Sequence, residues 1–69
     1  MVDIVVYGIG GRFPEQLVAR VSSKAALLFI VEALFEDEEP AIGVSLHGTI
    51  DGETISGECS RETVEVLCR

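Results

Sequence analysis

Asp51-Gly52 stands between two alternating runs, Ala41 to Ile50 and Glu53 to Cys59, and no other part of the chain narrows its fold as much. An Asp-Gly pair in that setting predicts a two-residue type I′ hairpin, because both central residues need positive φ and these two residue types accept it readily. A two-residue loop dictates the register: Ile50 opposite Glu53, Gly48 opposite Ile55, Leu46 opposite Gly57 and Val44 opposite Cys59. Side chains alternate between the faces of a strand. Ile42, Val44, Leu46, Ile50, Ile55 and Cys59 therefore share one face, and Ser45, His47, Thr49, Thr54, Ser56 and Glu58 the other. One side is core and one is wet, the usual pattern of an antiparallel hairpin.

Val2 to Ile9 reads as a further strand, rich in β-branched residues and closed by Gly10-Gly11. Val2, Ile4 and Val6 fall on one face, Val5, Tyr7 and Ile9 on the other. A strand apolar on both faces is normally central and covered on both sides. Beyond it, Pro14 and Glu15 suit a first helical turn. Leu17, Val21, Ala25, Leu28, Val31 and Phe35 follow at helical spacing. These predict helix on both sides of Ser22-Ser23, either one helix over about 14–36 or two, with a serine capping the second from residue 24. The tail is ambiguous. Thr63-Val64-Glu65-Val66 alternates like a strand, while Ser60 can cap a short helix; β-branched density favours the strand. The expectation is a single small α+β domain over residues 1–69, β-α-β-β-β, with a helical segment packed on a mostly antiparallel sheet.

A chain of 69 residues buries only about 60% of the surface its unfolded form exposes and is marginal alone. Two cysteines, Cys59 and Cys68, are too few for a disulfide framework and read as reduced thiols of a cytoplasmic protein. The helical stretch from Ala25 to Phe35 is apolar nearly all round, in a chain that is 48% hydrophobic with mean hydropathy +0.40. Such a helix calls for a large interior or an interface. A homo-oligomer, a homodimer above all, is expected, with Leu27, Phe29, Ile30 and Leu34 at the interface. The apolar run is too short for a bilayer span, which takes about 20 residues, and the N-terminus shows no signal-peptide pattern.

Charge is unevenly placed. The net charge is −7, yet residues 25–60 hold eight acids and no base. Four of the acids, Glu36, Asp37, Glu38 and Glu39, follow the helix, where each carboxylate at the negative end of the dipole costs roughly 0.3–1 kcal/mol at low salt. A block of this kind excludes direct nucleic acid and anionic membrane as partners, since phosphate contacts need clustered Lys and Arg. It suits a protein partner with a basic surface, steered in by the field. Asp51, Glu53 and Glu58 are expected to extend the same docking surface.

Other motifs are weaker. Tyr7 to Gly11 has the glycines of a phosphate-binding turn, but Phe13 stands where a dinucleotide fingerprint needs its third glycine. His47 lies on the polar hairpin face near Ser45, Ser56 and Glu58, and nothing in that spacing demands a triad. One histidine and two separated cysteines do not make zinc spacing, and four consecutive acids lack the alternation of a calcium loop. No catalytic residue, cofactor or metal is expected. The reading is a small acidic interaction module, homodimeric, that binds and modulates or inhibits a basic, nucleic-acid-handling protein. The alternatives are a ligand-binding or enzyme subunit with a site at an oligomer interface near Gly8–Gly11, and a purely structural oligomeric module.

Overall fold

The computed structural model describes all 69 residues. In chain order it forms β1 (Val2–Ile9), β2 (Gln16–Val21), α1 (Lys24–Phe35), β3 (Gly43–Ile50), β4 (Glu53–Cys59) and α2 (Arg61–Leu67). The strands make one sheet in the order β2-β1-β3-β4, every neighbour antiparallel. This is an α+β fold with helix packed on an antiparallel sheet, and β1 is central as its composition requires.

The hairpin forms in the expected register, from Ile50 opposite Glu53 to Val44 opposite Cys59. Asp51 and Gly52 both have positive φ, 50° and 87°, as a type I′ turn demands. Gly48 serves a different purpose. With φ 145°, it brings β3 so near β1 that an added Cβ would stand 1.9 Å from the Asp3 carbonyl oxygen.

Two elements differ from the sequence expectation. Residues 16–21 are a strand, not the first half of a helix. The helical spacing of Leu17 and Val21 is coincidental: a bulge shifts the β1–β2 register, with Val6 opposite Ala19 but Tyr7 opposite Leu17. The extra residue, Val18, breaks the period-two pattern that would have marked a strand. The helix proper starts at Lys24 behind the cap at Ser23, whose Oγ accepts from the Ala26 N–H at 3.0 Å. The tail is a helix, capped by Ser60 accepting from the Thr63 N–H at 3.2 Å. As a helix, packed beside α1, it buries Val64 completely in the common core.

Both helices lie on one face. Val2, Ile4, Val6, Val21, Val44, Leu46 and Ile50 from the sheet meet Leu27, Val31, Leu34 and Val64 from the helices, with Ala41 at the edge. Leu27 and Leu34, 0% and 3% exposed, belong to this interior. Of the four residues expected at an oligomer interface, only Phe29 and Ile30 present surface, and Phe29 is 73% exposed. Ile42, expected in the core, lies outside β3 and is 79% exposed, its side chain covering Gly10. No helix is long and apolar enough to cross a membrane.

Candidate functional site

With both helices on one face, the second face of the sheet has no layer over it. The outer row of β1, Val5, Tyr7 and Ile9, is half-buried there although no helix covers it. Ser45 pairs with Tyr7 and His47 with Val5 across β1–β3; Glu58 and Ser56 sit beyond them on β4. Glu15, at φ 51°, turns the chain into β2 and closes the other side. Together Val5, Tyr7, Ile9, Glu15, Ser45, His47 and Glu58 line an open depression of about 690 Å³.

Its polar groups are organised around His47. Nε2 lies 2.8 Å from Ser45 Oγ and Nδ1 lies 3.3 Å from Ser56 Oγ. In either neutral tautomer one serine donates to the ring and the other accepts from it. The Tyr7 ring meets the imidazole edge to face, centroids 5.7 Å apart and planes at 83°. A serine beside a histidine has the outline of a nucleophile with its base, yet the ring's other nitrogen is held by a hydroxyl where a triad has a carboxylate. Ser45 also sits on an interior strand whose backbone groups are committed to ladders on both sides, so no pair of free N–H donors waits beside its hydroxyl for an oxyanion. These contacts hold the imidazole and both hydroxyls together beside the half-buried β1 row.

The acids expected to form one docking surface are found in three places. Glu36 caps the C-terminus of α1, and Asp37 to Glu39 form the turn after it. Asp51 and Glu53 are at the far end of β3, an eight-residue strand and so about 24 Å away. Glu58 is on the open face. Counter-ions also arrive from outside the acidic block. Arg12 Nε lies 3.3 Å from Asp37 Oδ1, Arg61 Nη2 donates to Glu36 Oε1 at 3.1 Å, and Lys24 Nζ lies 2.6 Å from Asp51 Oδ2. Asp37 Oδ1 accepts from the Glu39 N–H at 3.0 Å, and the Glu39 carbonyl accepts from the Arg12 N–H at 3.2 Å. Much of the turn is thereby built into the molecule.

On the open face Arg20 grips Asp3 with two hydrogen bonds, 2.9 and 3.0 Å, which lower the Asp3 carboxyl below the usual aspartate range. Hydrogen bonding from Lys24, helped by the N-terminal amine, lowers Asp51 likewise. Burial raises both thiols, with the nearby Glu58 carboxylate adding to the effect at Cys59. The two cysteines are free and partly buried.

The glycine turn after β1 leads into a strand, so it lacks the helix N-terminus that gives a phosphate loop its field. Its glycines serve packing: a Cβ on Gly11 would stand 2.3 Å from the Pro40 carbonyl, and one on Gly8 would strike Phe13. No three His, Cys, Asp or Glu side chains converge into a metal-ligand set. No family model, curated protein or solved structure matches this chain.

Sequence reasoning placed His47, Ser45, Ser56 and Glu58 on one surface. It missed Glu15, and it expected the Val5, Tyr7 and Ile9 row to be covered, where the structure leaves it half-buried with no layer over it.

Proposed function

We propose that the protein is a non-enzymatic interaction module of the cytoplasm that binds a basic, nucleic-acid-handling protein and modulates it, most simply by occupying its basic groove. The observation that carries this reading is the asymmetry of charge pairing. Arg12, Arg20, Lys24 and Arg61 are each held in an ion pair within the molecule. Five of the twelve acids are used in those pairs, and the rest have no counter-ion. The free charge is therefore almost wholly negative, and its field reaches beyond the surface to steer a basic partner. Two free, partly buried thiols suit a reducing compartment. A second copy of the chain is the natural cover for the outer stripe of α1, where Ala25, Phe29 and Ala33 are exposed one turn apart.

The test is to immobilise the protein, identify what it retains at low salt, and measure affinity for the purified partner. A basic protein whose Kd rises about tenfold or more between roughly 50 and 300 mM salt supports the reading. A neutral or acidic partner held equally well at both salt concentrations overturns it.

A further inference from the structure

We propose that the open-face depression is where the basic partner is gripped, and that its occupant is an arginine-bearing segment. This deepens the reading above and rests on it. The floor is apolar and aromatic, with Val5 and Ile9 flanking Tyr7 on β1. Glu15 and Glu58 rise on opposite sides, one just before β2 and the other on β4, with β1 and β3 between them. Neither carboxylate has an ion-pair partner in the molecule, and no lysine or arginine lines the depression.

These parts match the two halves of an arginine. Its methylene stem lies well on apolar side chains. Its planar guanidinium stacks on aromatic faces and pairs with carboxylates in a fixed fork, which a lysine ammonium does not reproduce. A volume of about 690 Å³ is more than one side chain fills. It accommodates an arginine with its neighbours, and two carboxylates on separate sides can each take a cation. The His47–Ser45–Ser56 cluster keeps its hydroxyls and ring fixed, so little ordering is needed when the occupant arrives.

The probe is a hexa-arginine peptide, with hexa-lysine for comparison, titrated into isotopically labelled protein at low salt and followed by amide NMR shifts. Shifts centred on Tyr7, Ser45, His47 and Glu58, with hexa-arginine tighter than hexa-lysine, are expected. The double variant Glu15→Gln/Glu58→Gln should raise Kd about tenfold or more, while Glu38→Gln/Glu39→Gln changes it less than about twofold; matching thermal melts show that both variants fold. Shifts centred on residues 36–39, or equal losses in the two variants, overturn the site and leave the acidic-module reading standing. No salt-sensitive binding of either peptide anywhere overturns both.

Discussion

The Arg61 guanidinium on α2 donates a 3.1 Å hydrogen bond to the Glu36 carboxylate at the end of α1, twenty-five residues earlier in the chain. It lies 4.0 Å from Glu32 as well, and its centre is 6.0 Å from the Phe35 ring. A cation thus stands beside the negative end of the α1 dipole, where the sequence alone shows only acids. Removing it by Arg61→Ala should lower stability by under about 1 kcal/mol, because the pair is partly exposed. The loss should shrink as salt is added. Urea melts at low and high salt check both points.

Gly48 and Gly57 offer a controlled comparison. Both have φ that L-residues rarely adopt, 145° and 134°, but a Cβ on Gly48 meets the Asp3 carbonyl while one on Gly57 meets nothing within 4 Å. Gly48→Ala should force β1 and β3 apart and cost about 3 kcal/mol or more, enough to unfold so small a domain. Gly57→Ala carries only the backbone strain, about 1–2 kcal/mol. Circular dichroism melts of the two variants should differ accordingly.

Acid should destabilise the protein through Asp3 and Asp51. Both carboxyls are lowered in the folded state, chiefly by hydrogen bonds from Arg20 and Lys24. Their contribution is complete above the ordinary aspartate value of about 3.9 and is lost as pH falls from there through the lowered values. The variant Asp3→Asn/Asp51→Asn should flatten this part of the stability-pH curve. An unchanged slope would show that other groups govern the acid limb.

The thiols should be slow to react. Burial raises both Cys59 and Cys68, so near neutral pH the nucleophilic thiolate is scarcer than for a free cysteine. A chromogenic disulfide reagent should label the folded protein far more slowly than the urea-unfolded chain. Equal rates would mean that the end of β4, which carries Cys59, and the end of α2, which carries Cys68, both open freely.

Phe29 reports on self-association. If its exposed ring is covered by a second copy, light scattering gives a mass of twice 7.4 kDa for the native chain and a monomer for Phe29→Ser, which still folds because the ring is outside the core but no longer melts at a temperature that rises with protein concentration. A native monomer removes the dimer from the proposed function and leaves the sheet-face site untouched.

Most of the sheet was legible where its causes are local. Asp51-Gly52 carried the hairpin and its register, and the double apolar row of Val2 to Ile9 carried the central strand. Strand β2 was hidden because its bulge at Val18 erases the alternation by which a strand is recognised, leaving a spacing that mimics a helix. In the tail, β-branching outweighed the Ser60 cap, yet Val64 reaches the core only when the segment is helical. The site was half legible: the polar residues follow from hairpin alternation, but an outer row of Val5, Tyr7 and Ile9 looks the same whether a layer covers it or not. The partners of the acids are set by tertiary approach and leave no trace in local spacing.

The pairing of Val2 with Ile50 has a further consequence, for how the chain assembles. The hairpin closes a two-residue loop, and such closures take about 1–10 μs. The capped α1 helix is equally local. β1, by contrast, can zip onto β3 only after the whole intervening chain has been brought round, and that lost freedom must be overcome before any ladder bond is made. Until then β3 has a bare inner edge, and Val44 and Leu46 lack the strand that completes their core. Docking of β1, with β2 paired to it, is therefore the step of longest reach, and the folding rate should be set by how long β3 must wait for it.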